Sequence, residues 1–146
     1  MVFSLALHFL RERAVAEELA QDVFLELYVH RGEIASAEHA RHWLRKVTSR
    51  RCIDQTRRSR LRPRLGLHQA PEPFVWLPMP DPMLTQHLAD KVAGLTETAR
   101  MVVILRYQED LSPTEIGEVL EMPVATVKSH LQRSLANLRS GMEALR

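Results

Sequence analysis

Six of the eight prolines fall between residues 63 and 82, in the stretch PRLGLHQAPEPFVWLPMPDP. Proline fixes φ, lacks an N–H and disfavours the α region for the residue before it, so no long helix or central strand can run through this stretch. The chain must organise itself on either side. With 146 residues in all, each side has room for one small domain, 1–62 and 83–146, with 63–82 as a Pro-rich linker. In the extended proline form that linker reaches ~60 Å. Its apolar FVWLP segment could dock on a partner or on the chain's own domains.

Both domains read as helical. Only 5 glycines are present, and the apolar residues recur at threes and fours rather than alternating, so the fold class expected is all-α. In the first domain, Leu19, Val23 and Leu27 mark the buried stripe of a helix over about 15–29, with Glu17, Glu18, Gln21 and Asp22 on its exposed side. A second helix over about 37–60 is expected to turn Trp43, Leu44, Val47 and Ile53 inward and its arginines outward. In the second domain, Leu84, Leu88, Val92 and Leu95 define one helix, and Thr96 is placed to cap the next, which runs through Tyr107.

No apolar run approaches the roughly 20 residues of a membrane span, so no membrane partner is expected. The start, MVFSLALHFLRER, has neither a basic region nor a small-residue cleavage site and reads as half of an amphipathic helix. A cytoplasmic location follows as the expectation. The single Cys52 excludes an internal disulfide and an all-cysteine zinc site, and is expected to be a small buried residue.

Net charge is only +2, but it is unevenly spread. Residues 41–64 hold ten bases against one acid, Asp54, whereas residues 1–40 hold seven acids against three bases. A basic surface helix can be merely solvated, but clustered arginine binds phosphate by releasing counterions, which points to nucleic acid. Asp54 reads as an ion-pair partner for Arg50, Arg57 or Arg58.

The stretch LSPTEIGEVLEMPVATVKSHLQRSLANLR contains a sharp corner. Ser112 and Glu115 have capping-box spacing, and Pro113 sits at the first helical position, where its missing N–H costs nothing. Ile116, Val119 and Leu120 form the inward face, and Gly117 allows another helix to come close. After the turn at Glu121–Pro123, Val127, Leu131, Leu135 and Leu138 form the stripe of a longer helix. Two helices joined so tightly are a helix-turn-helix, whose second helix in DNA-binding versions enters the major groove. Thr126, Lys128, Ser129, His130, Gln132 and Arg133 offer hydrogen-bonding groups on the faces the stripe leaves free. A helical hairpin that only packs is the plainer alternative.

The segment LTETARMVVILRYQEDLSPTEIGEVLEMPVATVKSHLQRSLANLR closely resembles region 4 of bacterial RNA polymerase sigma factors of the extracytoplasmic-function class. AEELAQDVFLELY is similar to that family's region 2.2, and WLRKVTSRRCIDQTRR to its regions 2.3 and 2.4. The motifs stand in the family's order, with a linker where the family has one. The resemblance implies a sigma factor that directs core RNA polymerase to promoters, not an enzyme, and without a cofactor. It implies that Glu18, Gln21 and Asp22 contact the clamp helices of the polymerase β′ subunit. Arg50, Arg57 and Arg58 would hold and melt the −10 element, and Thr126, Lys128, Ser129, His130 and Arg133 would read the −35 element. An anti-sigma factor is a further partner implied by the family. The linker's reach plus two domain radii is compatible with about 25 base pairs, roughly 85 Å of duplex.

Three features depart from the family's pattern. Its members have further helical residues ahead of the position of Met1, so region 2 is expected to be short at its start. Arg50 stands where asparagine is frequent. Glu121 stands where glycine is common in the corner, and His130 where arginine is. Rival readings are a truncated sigma-like interaction protein and an autonomous helix-turn-helix regulator. An enzyme is the third, resting on His39 and His42 at metal-ligand spacing near Glu38, with no third ligand close by and no nucleophile or phosphate-loop motif.

Overall fold

The computed structural model describes residues 1–61 and 81–145, in which there are seven α-helices, one 3₁₀ turn and no strand. The chain divides into two compact units, Met1–Glu72 and Pro73–Arg146. The Pro-rich stretch lies outside the described residues, except for its last two. These open a helix instead: Asp81 accepts hydrogen bonds from the N–H groups of Met83 (2.9 Å) and Leu84 (3.4 Å), and Pro82 occupies the first turn.

In the first unit, α1 (Val2–Leu10), α2 (Arg13–Val29) and α3 (Ala37–Leu61) all pack on one another. Helix α1 buries Val2, Leu5, Ala6 and Phe9, one face at helical spacing. It ends where Arg11 turns left-handed (φ 58°) and donates its N–H to Leu7 O at 2.9 Å. Leu19 and Val23 of α2 are buried as the spacing predicts, and Leu27 is half-buried. A 3₁₀ turn, Arg31–Glu33, leads to α3. Ser36 caps α3 by accepting the His39 N–H at 3.1 Å, and the His39 ring Nδ1 accepts the Ala35 N–H at 3.1 Å in return. The histidine reaches one residue further back than the glutamate of a capping box, which would take the N–H of the N-cap residue itself.

The inward face of α3 differs from the expectation. Val47 is buried, but Trp43, Leu44 and Ile53 are only half-buried, and the fully covered side chains are Thr48, Ser49 and Cys52. Small side chains suit a helix enclosed by two others, because backbones can then approach closely. Desolvation by burial pushes the Cys52 thiol up to about 12.

In the second unit, α5 (Glu97–Tyr107) is the central helix, with Met101, Val102, Val103, Ile104 and Leu105 all buried. A helix apolar all round must be enclosed, and α4 (Pro82–Ala93), α6 (Pro113–Leu120) and α7 (Val124–Glu143) pack against it. Val92, Val103 and Leu138 form one shared cluster, with Leu88 and Leu95 at its margin. Thr96 occupies the N-cap of α5, although its side chain makes no capping hydrogen bond.

The capping box opening α6 is complete. Glu115 N–H donates to Ser112 Oγ at 3.2 Å, and Ser112 N–H to Glu115 Oε2 at 2.6 Å. Helix α6 ends at Glu121, which is left-handed (φ 53°, ψ 49°) and donates its N–H to Gly117 O. Glycine adopts this conformation without strain, whereas other L-residues pay about 1–2 kcal/mol. Glu121→Gly should therefore raise the stability of this unit by about 1 kcal/mol, part of the gain being lost to the freer unfolded chain. Calorimetry reads this as a rise in Tm.

Candidate nucleic-acid interface

The N-terminal unit brings acids and arginines into one cleft. Between α2 and α3 lies a cleft of about 550 Å³ with Glu18, Asp22 and Glu26 on the α2 side. Arg50, Arg51 and Arg58 come from α3, with Asp54 among them. Arg51 bridges the two walls: its Nε donates to Glu26 Oε2 at 3.0 Å and its terminal nitrogen to the same oxygen at 2.5 Å. This charge-assisted pair is half-buried, so it is less screened than a fully exposed one.

The six first-unit residues singled out in the sequence are thus divided. Glu18, Asp22, Arg50 and Arg58 share the cleft, although the resemblance assigns them to two different partners. Arg57 is exposed on α3 and does not line it. Gln21 lies on a neighbouring apolar groove with Ala20, Phe24, Leu25 and Tyr28. Phe24 is 50% exposed, Leu25 66% and Tyr28 64%, an apolar strip beside the acidic residues of α2. Its signal was available in the sequence, because Gln21, Phe24, Leu25 and Tyr28 follow i, i+3, i+4, i+7 spacing. At the end of α2, the Arg31 guanidinium lies 3.9 Å from the centre of the Tyr28 ring, and His30 lies beside Trp43 with ring centres 6.0 Å apart.

In the second unit the corner between α6 and α7 positions the candidate reading helix. A Cβ added at Gly117 would lie 2.8 Å from Met122 O and 3.7 Å from Val124 Cγ2. The close approach that glycine permits is therefore to the turn itself, where the sequence suggested another helix. Met122 N–H donates back to Gly117 O at 3.0 Å, closing the corner. Val127, Ser134 and Leu138 bury one side of α7. Thr126, Lys128 and Arg133 are exposed, and Ser129 and His130 are half-buried.

At 100° per residue, Lys128 and Arg133 lie about 140° apart around the axis of α7, on opposite flanks. Ala125, Ser129 and Gln132 fall between them, opposite the buried side. Gln132 is exposed and belongs with the candidate readers, a place that follows from which side of α7 is buried. Such a helix can meet base edges at its centre and a phosphate strand on each flank.

Among the described residues, no three of His, Cys, Asp or Glu come together as a possible metal site. His39, half of the candidate metal pair, is engaged at the start of α3. No helix among the described residues is long and apolar enough to cross a membrane.

Comparison with known proteins places both units. The family profile for sigma-70 region 2 matches residues 1–62, and that for sigma-70 region 4 matches residues 86–138. The RNA polymerase sigma-E factor of Streptomyces avermitilis is 31% identical over 134 residues, covering 88% of this chain and 72% of the relative. The ECF RNA polymerase sigma factor SigW of Bacillus subtilis is 27% identical over 143 residues, covering 89% and 76%. Among solved structures, the sigma factor RpoE of Bartonella quintana, in complex with the anti-sigma factor NepR, has a similar fold. Its TM-score is 0.72 at 18% identity, covering 99% of this chain and 91% of that one.

Proposed function

The chain belongs to the sigma-70 family, in its extracytoplasmic-function class, and from this premise we propose how its two units divide the work of a promoter-directing sigma factor. It binds core RNA polymerase and directs it to promoters, acting as an initiation factor. The first unit, through Glu18, Gln21 and Asp22 on α2, engages the clamp helices of the β′ subunit. Arg50, Arg57 and Arg58 on α3 hold and open the −10 element, mainly through backbone charge. Helix α7 reads the −35 element, with Lys128 and Arg133 on the phosphate strands. Ser129 and Gln132 stand toward the base edges, while Thr126 and His130 lie beyond Arg133 on the same flank and serve its phosphate strand. Its place of action is the cytoplasm, where polymerase works, and an anti-sigma factor is proposed as its regulator by analogy with the complex of the Bartonella protein.

The observation that carries this reading is the co-occurrence of both family regions, in order, on one chain. Run-off transcription from a genomic fragment library tests it, using purified core polymerase with and without the chain. Transcripts that require the chain are expected. Binding to core without transcripts would instead indicate an interaction protein, and a footprint without polymerase an autonomous regulator.

The arginine assignment gives its own result. Arg57→Ala with Arg58→Ala should weaken open-complex formation and flatten its salt dependence by roughly 0.7–0.9 in slope per lost phosphate contact. An unchanged slope would mean that these side chains face away from DNA. On α7, a randomised −35 library selected with holoenzyme separates the roles. Ser129→Ala and Gln132→Ala should relax specificity at single positions by about 1–3 kcal/mol, whereas Lys128→Ala and Arg133→Ala should weaken all sequences alike.

A further inference from the structure

The outward strip of α7 orders its side chains by what they can recognise. Opposite buried Val127, Ser134 and Leu138 stand Ala125, Ser129 and Gln132, with Lys128 on one flank and Arg133 on the other. Ala125 and Gln132 are exposed, and Ser129 is half-buried. Ala125 and Gln132 are two turns apart, so they lie within about 20° of one line along the helix. Along the axis they are separated by about 10.5 Å, roughly three base-pair steps of duplex. Over these first three turns the strip holds no charged side chain.

The chemistry of the strip selects among bases. The Gln132 carboxamide offers a donor and an acceptor side by side, which match N7 and the N6 amino group of adenine. Against guanine its oxygen would face O6, an acceptor meeting an acceptor, and one of the two hydrogen bonds would be lost. An unpaired carbonyl in a desolvated groove is costly, so guanine is rejected. The Ala125 methyl offers only apolar contact, which in the major groove means the C5 methyl of thymine. Ser129 donates or accepts and discriminates little.

We propose that Gln132 and Ala125 are the specificity-determining residues of α7, and that the duplex it reads carries an A·T pair opposite each. At one position adenine is held through N6 and N7 by Gln132. About three steps away, thymine is met at its methyl group by Ala125. The inference rests on the assignment of α7 to the −35 element and adds which bases are read. Lys128 and Arg133 fix the register on the phosphates and contribute alike to every sequence.

The test uses holoenzyme reconstituted from core polymerase and the full chain, on the motif it selects from a randomised −35 library. Two base analogues probe single contacts while base pairing is kept. 7-Deazaadenine replaces N7 by carbon and should weaken parent binding about fivefold at the Gln132 position. Uracil for thymine removes one methyl group and should cost about fourfold at the Ala125 position. Gln132→Ala should become indifferent to 7-deazaadenine and stay sensitive to uracil, and Ala125→Gly the reverse. Gln132→Arg should move the selected base from adenine to guanine, because a guanidinium donates to both O6 and N7.

A preference for A·T pairs that came from duplex shape would survive Gln132→Arg unchanged, and that outcome overturns the proposal. It is also overturned if the parent selects G·C at either position, or if 7-deazaadenine costs Gln132→Ala as much as the parent. A parent that selects no −35 motif removes the role of α7 and this inference together. A motif that Lys128→Ala or Arg133→Ala weakens, but in which Gln132→Arg keeps adenine, removes the base assignment alone.

Discussion

Glu18→Lys combined with Asp22→Lys should abolish co-purification with the β′ subunit while leaving the helical circular dichroism signal intact. Both carboxylates are exposed on a helix whose other side is fixed by Ala16, Leu19, Ala20 and Val23, so their reversal does not touch the core. A charge truncated in a desolvated interface typically costs 2–5 kcal/mol. Two reversals at the low end therefore amount to about 4 kcal/mol, roughly a thousandfold in affinity. The geometry of the cleft adds a control, since reversal also places lysines beside Arg50 and Arg58. Glu18→Gln with Asp22→Asn removes the attraction without that repulsion and should weaken core binding by a smaller factor. A double reversal that still binds core normally would move the contact to the adjoining apolar strip of Phe24, Leu25 and Tyr28.

The second large effect is expected at Gly117. A methyl group there would meet the Met122 carbonyl at 2.8 Å, and a backbone atom in a closed turn cannot step aside as a flexible side chain can. Gly117→Ala gains about 1 kcal/mol of helix propensity and loses roughly 2–3 kcal/mol to overpacking, for a net loss of about 1–2 kcal/mol. In a unit this small, that lowers Tm by roughly 4–15 °C. The functional loss should be larger than the thermal one, because the displaced turn is what sets the direction of α7. Promoter selection at −35 should fail at temperatures where the variant is still folded. Normal −35 selection by folded Gly117→Ala holoenzyme would show that the corner's geometry is not critical for reading.

Local features were the most legible in the sequence. The capping box at Ser112 and Glu115 depends on four neighbouring residues, and it forms as their spacing dictates. The α7 stripe through Val127 and Leu138 follows from period alone. What could not be read was how helices cross. The apolar residues Trp43, Leu44 and Ile53 look like the inner face of α3, yet α1 and α2 together enclose Thr48, Ser49 and Cys52 instead. The same limit hid the cleft. An acidic stripe on α2 and a basic one on α3 are each plain in the sequence, but only tertiary packing puts Glu26 against Arg51. At Gln132, the side chain's place on the outward face follows from α7's burial pattern, which depends on where α4, α5 and α6 lie against it.

The burial of Cys52 gives the first unit a built-in clock. The chain has a single thiol, fully covered, and burial pushes its pKa up to about 12, so the thiolate that an alkylating reagent needs is suppressed while the helices stay packed. Alkylation must then wait for α3 to part from its neighbours, and at reagent concentrations high enough to trap every opening its rate counts those openings. No second sulfhydryl contributes background. A mass-spectrometric time course of iodoacetamide modification would thus follow the breathing of one unit alone, in the free chain and again within holoenzyme.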